Sequence, residues 1–108
     1  MIIDYDSVEW KANPEFKGGT GVFYNKMVMD GGAKIMLGRL GPGSSIGYHQ
    51  HTGEAEHVYI ISGFGSELTD DGLVPVKPGE CHICQDGHSH SLINDREEGD
   101  LVFFAVIK

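Results

Sequence analysis

All six histidines of the chain fall between His49 and His90, and their placement says more than their number. His49 and His51 stand two apart in a segment that reads as a strand, so both imidazoles point to one face. After a turn at Thr52-Gly53, Glu56 opens the next strand, in phase with Val58 and Ile60, which marks an inward-facing row. His90 lies on a later strand, in phase with Leu92. Three neutral imidazoles and one carboxylate gathered in an apolar enclosure form a shell for one divalent transition metal. Around a 2+ ion they leave a net charge near +1, and an ion that prefers six ligands keeps positions for water or substrate. Such a centre attracts an anionic or vicinal-oxygen ligand, lowers the pKa of bound water or polarises a carbonyl. Ligand type admits manganese, iron, cobalt, nickel, copper or zinc.

Other residues compete for attention. His88 and His90 form a second His-x-His pair, so His88 is an alternative ligand or a substrate-contacting group, although it follows Asp86-Gly87 and reads as part of a turn. His57 directly follows Glu56 and should point the other way, out of the barrel. His82 is opposite in phase to Cys81 and in phase with Cys84; if that face is inward, His82 lines the cavity. Cys81 and Cys84 themselves stand three apart on a strand, face opposite sides and read as two separate thiols. Glu54 reads as a loop acid near the mouth of the site. Tyr24, Met36, Tyr48, Tyr59, Phe103 and Phe104 are candidates to line a pocket or to fill ordinary core. No nucleophile motif, phosphate loop or dinucleotide fingerprint is present.

These side chains need strands to hold them, and the chain supplies strand signals throughout. Gly21 to Met29, Ala33 to Leu40, Ile46 to His51, Glu56 to Ser62, Gly65 to Thr69, Leu73 to Val76, Cys81 to Gln85, Ser89 to Ile93 and Leu101 to Ile107 are short runs bounded by turn residues. Asp70-Asp71-Gly72 is a hairpin signal. In Ala33 to Leu40, Ala33, Ile35 and Leu37 share one face and Met36 and Leu40 the other, so both faces look partly buried. Leu101 to Ile107 (LVFFAVI) reads as a strand buried on both faces. Ser7 to Lys17 is the best helix candidate, weakened by Pro14 and by a poor 3.6 period. Sixteen glycines, about twice the usual ~7%, suit a protein of many turns. The expectation is an all-β sandwich or barrel, with 1–108 as one domain. Residues 1–20 form an arm whose apolar Ile2, Ile3, Val8, Trp10 and Phe16 pack on the barrel or on the edge of a dimer partner.

Hydrophobic residues make up 40% and charged residues 22% of the 108, an ordinary globular balance. A net charge of -8 without any basic run argues against nucleic acid and against an anionic membrane surface. Met1 to Trp10 lacks a basic and apolar leader pattern, and no apolar run is long enough to span a bilayer. The expected location is cytoplasmic, and the expected partner a small molecule.

Two spaced motifs carry a family resemblance. The first is Gly43, five residues, His49, one residue, His51, four residues, Glu56, six residues, Gly63. The second is Gly79, five residues, Gln85, one residue, Gly87, two residues, His90, three residues, Asn94. In this order and spacing the chain resembles the cupins, with Gln85 where the family has proline. The resemblance covers 43–63 and 79–94 and implies a double-stranded β-helix, or jelly-roll barrel. It implies His49, His51, Glu56 and His90 as the ligands of one divalent metal. It implies a metal-dependent enzyme on a small carboxylate or sugar-like substrate (a dioxygenase, decarboxylase, isomerase or lyase), or a binding module without turnover. Small single-domain cupins pair as dimers, so a homodimer is expected.

Overall fold

The computed structural model describes all of residues 1–108. Ten strands follow one another: β1 (Lys11–Pro14), β2 (Val22–Asp30), β3 (Ala33–Leu40), β4 (His49–Gln50), β5 (Glu56–Ser62), β6 (Gly65–Thr69), β7 (Gly72–Val76), β8 (Cys81–Cys84), β9 (Ser89–Ile93) and β10 (Leu101–Ile107). They form a six-stranded sheet in the order β1-β2-β3-β10-β5-β8 and a four-stranded sheet in the order β4-β9-β6-β7. Every pairing is antiparallel. No helix is long and apolar enough to cross a membrane.

Alternation along the strands builds the core between the sheets. Phe23 of β2, Met36 and Leu40 of β3, Val58 and Ile60 of β5, Leu92 of β9 and Leu101, Phe103 and Ala105 of β10 are buried together. Phe23 and Phe103 stack with ring centroids 5.9 Å apart. Phe103 lies over Gly38 of β3, where any Cβ would collide with the ring. At the end of β5, Gly63 has φ +86, and a Cβ there would strike the Asp100 carbonyl, so the motif glycine serves both a turn and a close approach.

Three expectations change. β10 alternates: Leu101, Phe103, Ala105 and Ile107 are buried, whereas Val102, Phe104 and Val106 on the outer face are only half-buried. β3 keeps both faces partly buried as expected, with Met36 and Leu40 inward and buried Ala33 and half-buried Ile35 and Leu37 on the outer face. The strand expected over Ile46 to His51 shrinks to His49–Gln50. Its earlier part still runs beside β9, with Ile46 N–H donating to the Leu92 carbonyl at 2.9 Å. Gly47 N–H, however, turns away to the Phe16 carbonyl at 3.0 Å, which breaks the ladder. Ser7 to Lys17 is no α-helix: it holds β1 between two single-turn 3₁₀ helices, Tyr5–Ser7 and Phe16–Gly18. Pro14 is tolerated because β1 is an edge strand.

The arm packs on its own barrel. β1 pairs with β2, Tyr5 sits edge-on to Phe104, and the Trp10 ring lies beneath Lys26 Nζ (4.9 Å) and the Arg39 guanidinium (4.8 Å). It thus covers part of the outer face of β3 and β10.

Candidate metal centre

β4 and β9 pair with His49 opposite His90, which brings two imidazoles side by side on the four-stranded sheet. His51 follows just after β4; its N–H donates to the His88 carbonyl at 3.0 Å, and its own carbonyl accepts from Gly87 N–H at 2.7 Å. This keeps His51 in register two positions after His49 and on the same face. Glu56 comes from the facing sheet, at the start of β5, and points inward with Val58 and Ile60. The four side chains therefore meet between the two sheets.

Their inward atoms converge. His51 Nε2 lies 3.2 Å from His49 Nε2, 3.1 Å from His90 Nε2 and 3.2 Å from Glu56 Oε1. His90 Nε2 lies 2.7 Å from the same oxygen. One donor atom from each residue falls within 4.8 Å of every other. Outer partners set two of the tautomers. His49 Nδ1–H donates to the Gly47 carbonyl at 2.7 Å, and His90 Nδ1–H donates to Glu67 Oε2 at 2.9 Å. With Nδ1 carrying the proton, Nε2 of each neutral ring turns a lone pair to the common centre. Several lone pairs facing one another at about 3 Å repel unless a proton or a cation lies among them.

The electrostatics fit that need. Burial opposes the charge of Glu56, but hydrogen bonds from His51 and His90 outweigh it and hold the carboxyl down at about 2. Burial also opposes a charged His90, yet hydrogen bonds to Glu56 and Glu67 outweigh it and hold the imidazole up at about 9. Burial pushes His49 below its usual value. The carboxylate is thus ionised, and a metal held by these four residues would take the place of the proton on His90.

The cluster opens into a cavity of about 350 Å³. Phe23, Met36, Ile46, Val58, Leu92, Phe103 and Ile107 form its apolar wall, and the arm contributes Val8, Lys11, Asn13 and Phe16. Glu54 lines it too, with Oε1 3.6 Å from His51 Nδ1.

The other sequence candidates separate cleanly. Met36 and Phe103 line the cavity, whereas Tyr24, Tyr48, Tyr59 and Phe104 do not. His57 is exposed, as its phase required. His88 is exposed and bonded to Asp70 at 3.0 Å, outside the four-residue cluster; Tyr48 hydroxyl donates to the other Asp70 oxygen. Cys81 is exposed and Cys84 buried, both as free thiols, and burial raises the Cys84 thiol to about 11. His82 lies outside the cavity and bonds to Glu67 at 3.2 Å and Glu80 at 3.0 Å.

Glu67 is the residue that sequence reasoning missed. It is buried on β6, with one oxygen on His90 and the other on His82. Its phase gave no local signal, since it is shared with Gly65 and Thr69, and only the pairing of β6 with β9 turns it towards His90.

Comparison with known proteins agrees with this geometry. A family model described as the cupin domain matches residues 36–107. The chain belongs to the cupin family. Its fold is the double-stranded β-helix of that family, and a solved structure described as a predicted oxalate decarboxylase from Thermotoga maritima superposes with a TM-score of 0.91. That match has 31% identity and covers 99% of this chain and 97% of the other. A curated protein of Thermotoga maritima, the oxalate-binding protein, is 44% identical over 69 residues, covering 64% of this chain. The matched stretch spans only 56% of that relative's length. A sugar phosphate isomerase of the cupin superfamily from Silicibacter pomeroyi, at 24% identity, covers all of this cupin and 75% of its own chain with a TM-score of 0.78, a likeness of fold alone.

Proposed function

We propose that this cupin holds one divalent metal on His49, His51, Glu56 and His90 and captures a small carboxylate on the metal's remaining positions, with oxalate as the first ligand to try. The observation that carries the reading is the convergence of four donor atoms, with His49 and His90 each held through Nδ1 so that Nε2 faces the common centre. With four protein donors, an ion that takes six ligands would keep two positions, enough for a ligand that chelates through two oxygens. The likeness to a protein named for oxalate binding supports the same choice.

Turnover is the second reading, and Glu54 favours it. This acid lines the cavity without belonging to the donor cluster, so it is placed to exchange a proton with a bound ligand. The metal would supply Lewis acidity at the ligand oxygens.

The test is metal content in protein purified without added metal, beside a His51→Ala, Glu56→Gln double variant. The expected result is a stoichiometry near one per chain that disappears in the variant. Calorimetric titration with oxalate should then give binding to manganese-loaded protein and none after chelation. Formate and carbon dioxide released from oxalate would establish turnover. A native protein that cannot be loaded at neutral pH would sink the proposal.

A further inference from the structure

Three of the eight basic side chains, Lys11, Lys17 and Lys34, line the cavity that holds the four-donor cluster. The ion pairs of the fold engage Arg39 and histidines, and none engages a lysine. Lys34 is the best placed of the three. It shares the inward phase of β3 with Met36, and both line the cavity. Ile107 of β10 stands opposite Lys34 on one side and opposite Glu56 on the other. Glu56, Ile107 and Lys34 therefore form one row across the inner face of the sheet. Two strand spacings put the Cα of Lys34 about 10 Å from that of Glu56. A four-carbon stem is long enough to take its ammonium across much of that gap, over the apolar Ile107.

Charge points the same way. The acidic side chains lining the cavity are Glu9, Glu54 and Glu56, which the three lysines balance when the imidazoles are neutral. A bound divalent ion then leaves two positive charges in the cavity, although the whole chain carries -8. A dianion neutralises that excess. A monoanion does so only in part, and a neutral sugar not at all.

We infer that Lys34 is a specificity-determining residue: its ammonium pairs with the metal-distal oxygens of a bound dicarboxylate, so the site selects dicarboxylates over monocarboxylates. This rests on the metal-and-carboxylate reading above and names the ligand class that reading left open. Lys34 touches the ligand and not the metal, so its loss leaves the donor cluster intact.

The experiment compares manganese-loaded wild type, Lys34→Met and Lys34→Arg by calorimetric titration with oxalate, malonate and the monoanionic chelator glycolate. Metal stoichiometry is measured on each sample. Wild type should bind at least one dicarboxylate more tightly than glycolate. Lys34→Met should keep its metal, lose about tenfold or more in dicarboxylate affinity, and bind glycolate within about twofold of wild type. Lys34→Arg should keep most of the preference. If Lys34→Met binds metal and dicarboxylates as wild type does, or loses both ligand classes equally, the role of Lys34 is overturned and the metal-and-carboxylate reading stands. If wild type takes up no metal, or loaded wild type binds none of the three, both ideas fall.

Discussion

Glu67 shows how a buried side chain outside the four-residue cluster acts on it through His90. Its two oxygens accept from His90 Nδ1 at 2.9 Å and from His82 Nδ1 at 3.2 Å. The first contact fixes the tautomer and tilt of His90; the second braces the carboxylate from the far side. In Glu67→Gln the amide oxygen can still accept one of these bonds, but the negative charge that makes His90 a better donor is gone. Metal affinity should fall about 10- to 100-fold, in the range typical of outer-shell partners, while the thermal midpoint of chelated protein shifts by only a few degrees. Competition against a fluorescent chelator reads this directly, and an unchanged metal affinity would refute the bracing role. The inner cluster was legible because His49, His51, Glu56 and His90 sit at spacings that alternation and the motif pattern interpret without a structure. Glu67 and Lys34 were not, because each gains its meaning from a register between strands distant in sequence: β6 with β9, and β3 with β10 and β5. Seen alone, each is an ordinary charge on a strand.

At the level of elements, runs of apolar residues and turn signals marked out β2, β3 and β5 to β10 closely, since alternation and glycine placement are local properties. The segment Lys11–Pro14 escaped notice because KANP has little β propensity and is a strand only by pairing with β2. β10 looked two-sided because every residue in it is apolar, and the arm covers part of its outer face where Tyr5 meets Phe104. Gly38 belongs to the same class of hidden constraint. It lies in mid-strand, where glycine is unfavourable, yet the Phe103 ring fills the space that a Cβ would take, and Phe103 is 1% exposed. Gly38→Ala should therefore destabilise the fold by about 1–3 kcal/mol, as overpacking does, despite the better strand and backbone character of alanine. A urea midpoint would measure it. Replacing Phe103 by Leu in the Gly38→Ala background should cost less than it does in wild type, because the smaller side chain relieves the collision. Equal costs in both backgrounds would show that the ring moves aside freely.

Across the whole molecule, the centre joins the two sheets: His49 and His90 belong to the four-stranded sheet, His51 adjoins it, and Glu56 belongs to the six-stranded one. Beside the cavity the sheets meet through polar contacts, Glu56 with His51 and His90 and Glu67 with His82, as well as through packed apolar side chains. A metal held there acts as a crosslink that exists only in the folded state, since the unfolded chain cannot bring together donors from residues 49 to 90 at comparable affinity. Free metal at a hundred times its dissociation constant then stabilises the fold by about 2.7 kcal/mol. For a chain of this length that corresponds to a rise in Tm on the order of 10 °C. Chelation should reverse the rise, and the His51→Ala, Glu56→Gln variant should show neither change. Hydrogen exchange gives the prediction its spatial form. If the metal crosslinks the sheets, chelation lowers protection in β4, β9 and the start of β5 together, and the loss extends through β10, which pairs with β5. If protection changes only around His49 and His51, the ion merely orders a loop, and the two sheets are held together by the apolar core alone.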